Sequence, residues 1–316
     1  MAMEFILGVV YIIGFFSLYR LIWSLIRGTW VIFFRPAKDL KKYGSWAIVT
    51  GCTDGLGKAI AFELASKGLN ILLVGRNPEK LKATSTEIRQ RYHHLIETKD
   101  VVIDFLKHSG TEIAKLIEEG IQGLDVGILI NVVGENYPTA RYFHEVDEEL
   151  MQSLIKVNID SVTWMTRAVL PIMIRKKKGA IVNIGSGSSA VIPSSPLFTL
   201  YASTKCYIDQ LSRSLYVEYK KCGIDVQVQV PAYCVTRMTL RMAAIKKSSL
   251  FIPMPEDFAR ASVRMIGYEA RCSPYWAHAL QWGAAKCIPD TLLDAFRLAE
   301  GIRRRSLGNS TAYHIN

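Results

Sequence analysis

Residues 45–65, Ser45-Trp46-Ala47-Ile48-Val49-Thr50-Gly51-Cys52-Thr53-Asp54-Gly55-Leu56-Gly57-Lys58-Ala59-Ile60-Ala61-Phe62-Glu63-Leu64-Ala65, decide how the rest of the chain reads. The first six residues form a short apolar strand, the last eight carry a helical pattern, and a glycine-rich turn joins them. In that order the three parts make a cradle for a dinucleotide. Glycines let the backbone approach the pyrophosphate, and the first turn of the helix offers N–H groups and positive potential. The spacing is G-x-x-x-G-x-G rather than the commoner G-x-G-x-x-G, so the context of strand and helix carries the reading more than the glycines do.

Outward from this turn the chain alternates. A second strand covers residues 69–74 and ends at Gly75-Arg76-Asn77. An acidic residue at such a strand end would bind a ribose 2′-hydroxyl, whereas Arg76 suits a 2′-phosphate and so favours NADPH, a plain solvated arginine being the alternative. A helix is expected over residues 78–92, a strand over 101–103 ending at Asp104, and a helix near 110–120. A strand over 126–130 ends at Asn131-Val132-Val133-Gly134, and a long helical region over 148–176 contains Asn158. A strand over 180–184 then leads into Gly185-Ser186-Gly187-Ser188-Ser189, a helix carrying Tyr201 runs to about 221, and a strand follows over 225–230. Such alternation means an α/β fold, a Rossmann-like doubly wound parallel sheet with ligands at the strand carboxyl ends.

Tyr201-Ala202-Ser203-Thr204-Lys205 puts a phenol and an ammonium at i and i+4, on one helix face. Alone the pattern is weak, since a surface or packing pair reads the same way. Beside a dinucleotide cradle it points to proton transfer, with the ammonium expected to lower the phenol from its ordinary ~10. A serine from the preceding strand end would hold the same substrate oxygen. Ser186 follows the strand most directly, with Ser188 and Ser189 as competitors.

The 316 residues are 50% hydrophobic and 21% charged, enough for one large α/β domain and an appendage. The six cysteines show neither metal pairing nor a disulfide framework and read as reduced thiols of a cytosol-facing protein. The six histidines, His93 and His94 among them, have no metal spacing, so no metal is expected. A net charge of +11 is dispersed among separate clusters without a nucleic-acid motif; a membrane surface or an anionic substrate accounts for it better than nucleic acid.

Residues 5–26 are apolar apart from Arg20 and long enough to cross a ~30 Å hydrocarbon core. A cleaved signal peptide is disfavoured by Glu4, by bulky residues throughout and by the lack of a small-residue cleavage site. A buried helix of the soluble domain is the plainer alternative. Arg27, Arg35, Lys38, Lys41 and Lys42 follow the segment, so the positive-inside rule places the large domain in the cytosol. Residues 1–43 are therefore read as a membrane anchor and basic linker, 44–270 as the cofactor-binding domain, and 271–316 as a C-terminal extension. Within that extension residues 275–288 would lie on a bilayer or line a substrate path. Residues 238–254, with Met238, Met254, Lys246 and Lys247, read as an apolar lid with basic edges or as a surface helix pair. Asn309-Ser310-Thr311 is a glycosylation sequon that a cytosolic terminus would not present to the machinery, and the terminal Ala312-Tyr313-His314-Ile315-Asn316 carries no dilysine.

These motifs, in this order, resemble the short-chain dehydrogenase/reductases over roughly residues 44–270. The resemblance implies cofactor contacts from Thr50, Gly51, Thr53, Asp54, Gly55, Leu56, Gly57, Arg76, Asp104, Asn131 and Thr236, and from Tyr201 and Lys205. It implies a catalytic tetrad of Asn158, Ser186, Tyr201 and Lys205, with Asn158 holding a relay water; Asn158 as a helix interruption or cap is the alternative reading. Lys41 to Ala47, Gly123 to Ile130, Tyr142 to Glu149 and Val217 to Lys221 look like the plant-type very-long-chain 3-oxoacyl-CoA reductases of the endoplasmic reticulum membrane. That likeness implies NADPH reducing a 3-oxoacyl-CoA beside other fatty-acid elongase subunits. A 17-beta-hydroxysteroid-type ketone or a weakly catalytic paralogue with a binding role are the alternatives. Val132 stands where the family usually has a second asparagine, and Cys52 and Ala232 also depart from its pattern.

Overall fold

The computed structural model describes the backbone of residues 2–93, 95–243, 245 and 247–312, and side chains up to residue 306 with Ala243 excepted. His94, Lys246, the residues beyond Ala312 and the side chains of Asn309, Ser310 and Thr311 lie outside the described residues. The chain divides into two units, residues 1–37 and 38–316.

In the first unit, helix α1 (Ala2–Thr29) continues through a π-helical turn, Trp30–Phe34. The 33 residues Ala2–Phe34 have a mean hydropathy of 2.1 over their most apolar window and bury none of it, which is long and apolar enough to cross a membrane.

The second unit starts with β1 (Trp46–Thr50), α2 (Gly55–Ser66), β2 (Asn70–Gly75), α3 (Pro78–Arg91), β3 (Thr98–Val102), α4 (Gly110–Gly120) and β4 (Val126–Asn131). Then follow α5 (Glu148–Ile155), a π-helical turn Lys156–Asp160, α6 (Ser161–Lys176), β5 (Gly179–Ile184), the single turn α7 (Gly187–Ala190), α8 (Thr199–Tyr219) and β6 (Ile224–Gln229). Helices α9 (Arg237–Ala243) and α10 (Pro255–Arg264), β7 (Arg271–Cys272), α11 (Trp276–Ala285) and α12 (Asp290–Ala312) complete it. All seven strands are parallel, in the order β3-β2-β1-β4-β5-β6-β7. The order reverses between β1 and β4, the point where an open α/β sheet leaves a crevice.

Alternate residues of the central strands feed opposite faces, as the two-residue period of a strand requires. Ala47 and Val49 of β1 join Ile71 and Leu73 of β2 in one apolar layer, against Ile60 and Leu64 of α2 and Val263 of α10. Ile48, Leu72 and Val74 point the other way, against Ile113 and Ile117 of α4 and Met165 and Val169 of α6. With both faces covered, these strands tolerate only apolar residues, and that is why they read as continuous apolar runs.

Two boundaries differ from expectation. The third strand begins at Thr98, not Val101, because β3 is an edge strand that tolerates the polar run Thr98-Lys99-Asp100. Residue 270 is not a boundary: Arg271 and Cys272 pair with Val228 and Gln229 as the seventh strand, so the residues beyond belong to the same body.

Candidate active site

A cavity of about 540 Å³ opens at the carboxyl ends of β1, β4 and β5, within the usual range for a small-molecule site. At one end it is lined by Gly51, Asp54, Gly55, Leu56 and Gly57 and by the β4 exit Val132-Val133-Gly134. Gly51 takes φ +64°, and its missing side chain leaves room for the Val133 backbone, 3.0 Å from where a Cβ would sit. Gly57 is tighter: a Cβ there would lie 2.2 Å from the Gly51 carbonyl oxygen. The turn therefore packs directly on the first turn of α2, where no side chain caps the helix and Gly55, Leu56 and Gly57 line the cavity. This backbone cradle fits a dinucleotide phosphate.

The opposite wall is built from β5 and α8. Ser186 follows Gly185 out of β5; its hydroxyl accepts from the Ser188 N–H at 3.2 Å and from the Ser188 hydroxyl at 2.8 Å. Ser188 thus steadies Ser186, while Ser189 donates to the Ser186 carbonyl at 2.9 Å. Tyr201 is the third residue of α8 and Lys205 lies one turn on, its ammonium 5.9 Å from the Tyr201 ring centre. Ser186, Tyr201 and Lys205 all line the cavity. The Lys205 ammonium donates to the Ile184 carbonyl at 2.9 Å, which ties the helix to the end of β5.

The electrostatics run opposite to the expectation for the phenol. Burial pushes Tyr201 up to about 12, and a hydrogen bond with Ser186 only partly offsets it. Burial likewise brings Lys205 down to about 8. Desolvation of the charged form is the largest cause of both shifts, so the phenol keeps its proton at neutral pH and the lysine loses its own above about 8.

The other expected site residues fall in several places. Thr236 lines the cavity at the head of α9 and touches the Gly55 turn, 3.3 Å from where a Gly55 Cβ would be. Arg76 is exposed just past β2, and Thr53 and Asp104 are partly buried near their strand ends. Three of these side chains turn inward. Thr50 is fully buried, its hydroxyl accepting from the N–H groups of Val132 and Val133 at 3.0 and 3.2 Å, so its side chain shapes the β4 exit. Asn131 is buried too and donates to Asn183 at 2.8 Å, tying β4 to β5 from within the sheet. Asn158 has no exposed surface. Its amide oxygen accepts from the Glu135 N–H at 2.7 Å, and its amide nitrogen donates to the Glu135 carbonyl and the Thr204 hydroxyl. It occupies the π-helical turn between α5 and α6 and clamps the loop after β4, so its side chain is a positioning group and a helix interruption at once.

The stretch 275–288, expected from the sequence to lie on a bilayer or line a substrate path, supplies two lining residues, Gln281 and Trp282, with His278 on the same helix. His278 of α11 is fully buried; its Nδ1 accepts from the Ala232 N–H and its Nε2–H donates to the Tyr233 carbonyl, both at 3.2 Å. Burial pulls it down to about 4, so it is a neutral strut under the loop after β6. Gln281 and Trp282 of α11 and Arg297 and Arg304 of α12 close the far end of the cavity. Arg304 had been visible only as part of a basic run; its guanidinium donates to the Tyr233 hydroxyl at 2.8 Å and is held by Glu300 at 2.7 Å. Among the described residues no three His, Cys, Asp or Glu side chains gather as a metal site would require. All six cysteines are free, and burial pushes Cys52 and Cys234 up to about 12, which makes those thiols inert.

A glycine cradle facing a serine–tyrosine–lysine wall is the arrangement of one family, and the short chain dehydrogenase family model matches residues 45–246. The chain belongs to the short-chain dehydrogenases. A very-long-chain 3-oxoacyl-CoA reductase-like protein of Arabidopsis thaliana is 51% identical over 296 residues, 93% of this chain and 94% of the relative. The human very-long-chain 3-oxoacyl-CoA reductase is 38% identical over 248 residues, 78% of this chain and 76% of its own. The human inactive hydroxysteroid dehydrogenase-like protein 1 is 41% identical over 271 residues, 85% and 80% of the two chains. Among solved structures, a short-chain dehydrogenase from Sphingobium yanoikuyae in complex with NADPH is 25% identical with a TM-score of 0.63, covering 79% of this chain and 95% of that one. A 7beta-hydroxysteroid dehydrogenase structure, at 24% identity and a TM-score of 0.72, covers 82% and 99% and shares the fold.

As a short-chain dehydrogenase this chain is a nicotinamide-dependent oxidoreductase. The cofactor, when bound in the cradle, supplies the hydride. Everything else falls to the chain's own side chains. The Tyr201 phenol, protonated at neutral pH, is placed to give its proton to a carbonyl oxygen in the cavity. The Ser186 hydroxyl, steadied by Ser188, is placed to bond the same oxygen. The Lys205 ammonium, 5.9 Å from the Tyr201 ring centre, is a positive charge suited to favour a phenolate.

Proposed function

We propose that this chain uses NADPH to reduce the 3-oxo group of very-long-chain 3-oxoacyl-CoA, giving the 3-hydroxyacyl-CoA of fatty-acid elongation. The observation that carries the reading is the cavity, in which Ser186, Tyr201 and Lys205 stand beside an apolar wall of Ile192, Phe198, Met238 and Met242 suited to an acyl chain. The full-length likeness to the Arabidopsis protein named for this reaction supports it. Arg76, exposed at the end of β2, supports a 2′-phosphate and hence NADPH. Ala2–Phe34 serves as an anchor in the endoplasmic reticulum membrane, and the cations after it keep the reductase unit in the cytosol beside other elongase subunits. Leu280, Ile288, Leu292 and Phe296, exposed in and around α11 and α12, suit a further contact of the C-terminal region with the bilayer.

A second reading is a weakly catalytic member with a binding role. It is favoured by the 41% identical relative named inactive and by Val132 at the β4 exit. One assay separates the readings: NADPH oxidation with a long-chain 3-oxoacyl-CoA and with a ketosteroid, each beside Tyr201→Phe. Turnover of the acyl substrate, falling at least about 100-fold in the variant, is the expected result. Turnover of the ketosteroid alone, or none from folded protein that binds NADPH, sinks the proposal. In the same assay Arg76→Ala should cost more with NADPH than with NADH.

A further inference from the structure

Four buried side-chain polar atoms lack a hydrogen-bond partner among the described residues: Asn131 Oδ1, Gln281 Oε1, Trp282 Nε1 and Arg297 Nε. Native structures keep few such atoms, and each needs a reason. Three of the four belong to neighbouring side chains of α11 and α12, and all three side chains line the far end of the catalytic cavity. We propose that Gln281, Trp282 and Arg297 form a recognition site for the amide-bearing arm next to the substrate's reacting ketone, an inference that rests on the acyl-thioester reading above.

The placement supports this. The six-membered ring of Trp282 packs on Gly187, where a Cβ would lie 2.0 Å from Cζ2, so the indole is held against the Ser186–Ser188 turn. Arg297 reaches the Ser195 hydroxyl at 3.4 Å with one terminal nitrogen, which leaves Nε free. Arg304 is already committed to Tyr233 and Glu300 and frames the site without competing for the ligand.

Donor and acceptor identity narrows the ligand. An indole and a guanidinium only donate, and the Gln281 oxygen only accepts. Their complement is a segment with at least two acceptors and one N–H within a few bonds of each other. A hydrocarbon chain offers neither, and a ketosteroid offers isolated oxygens without an N–H. The thioester carbonyl and the two amides of a pantetheine arm offer both kinds. Binding that arm here would leave the 3-oxo group, two carbons from the thioester, to Ser186 and Tyr201.

The test uses the full chain in detergent micelles and three substitutions that remove the polar atoms while keeping an apolar side chain: Gln281→Leu, Trp282→Phe and Arg297→Met. Two probes are compared, a 3-oxoacyl pantetheine thioester and the corresponding 3-oxoacyl ethyl ester, which lacks the amides. Each substitution is expected to raise KM for the pantetheine thioester about tenfold, with kcat changing less. The rise for the ethyl ester should be at least about fivefold smaller. Gln281→Leu, which removes an unpartnered buried oxygen, should also leave the melting temperature of the ligand-free protein unchanged or higher, whereas a merely structural role predicts a fall. Equal KM losses on both probes, or none on either, overturn the site. If the wild-type chain reduces neither probe, the reaction assigned above fails separately. Calorimetric binding of a non-reducible acyl pantetheine thioester then decides the recognition site: binding weakened by the substitutions supports it, and unaltered or absent wild-type binding overturns it.

Discussion

Lys205 and Tyr201 are held in the wrong surroundings for charge, and that misfit is informative. A lysine brought from its ordinary ~10.4 to about 8 loses stability when it is protonated in the folded state. Its folded value is depressed, so the stabilising contribution is present above ~10.4 and is lost as pH falls through about 8. Two outcomes follow for the free enzyme. The kcat/KM for reduction should be flat near neutrality and decline with a single-proton slope above about pH 8, as the ammonium behind the phenol is discharged. Lys205→Met should abolish turnover yet melt no lower than wild type at pH 7, provided the Ile184 carbonyl it releases finds water. A kcat/KM that stays flat to pH 10 would show that another group sets the profile. The pattern Tyr-x-x-x-Lys was legible in the sequence because helical spacing is fixed. The direction of the phenol's shift was not, because it depends on how much water the surrounding loops exclude.

At the scale of elements, the amino-terminal end of the strands, opposite the cavity, is pinned by one carboxylate. Asp225, near the start of β6, accepts from Lys38 at 3.0 Å, from Lys220 at 2.6 Å and from the Tyr43 hydroxyl. Burial pushes its carboxyl up, but the hydrogen bonds from Lys220, Tyr43 and Lys38 more than offset that and hold it below the usual range. Its contribution is therefore present above the unfolded value of ~3.9 and lost as pH falls through the lower folded value. Asp225→Asn should cost about 1–3 kcal/mol at pH 7, leave kcat unchanged, and differ progressively less from wild type as pH drops below ~4; denaturant melts at pH 7 and pH 3 check this. A kcat that fell with stability would mean the two ends of the strands are coupled. The order of strands and helices could be read in advance, since doubly covered strands such as Trp46–Thr50 are apolar throughout. Three kinds of feature could not. The polar edge strand Thr98–Val102 lacks that signature, and the two-residue strand Arg271–Cys272 exists only through its partner. The inward turn of Thr50, Asn131 and Asn158 depends on which neighbours each side chain finds after the loops close. The family resemblance assigns Thr50 and Asn131 to the cofactor and Asn158 to a relay water or a helix interruption; in the structure all three side chains are buried in the scaffold.

At the scale of the whole molecule, all the cavity-lining residues lie in the unit 38–316, while the apolar helix lies in residues 1–37. Every residue that lines the cavity is present in 38–316, so removal of the apolar helix should leave dinucleotide binding intact. A chain of residues 38–316 is expected to fold, to bind the dinucleotide with a Kd within about twofold of the full chain, and to leave the membrane fraction that the full chain enters. The full chain should resist extraction by high salt and alkali, because an apolar helix of this length is held by burial in hydrocarbon rather than by charge. If the shorter chain aggregates in detergent-free buffer while still binding the dinucleotide, the exposed Leu292 and Phe296 of α12 become the surface to change to polar residues. If it fails to bind the dinucleotide at all, residues 1–37 contribute to the fold and the division of labour between the two units is wrong.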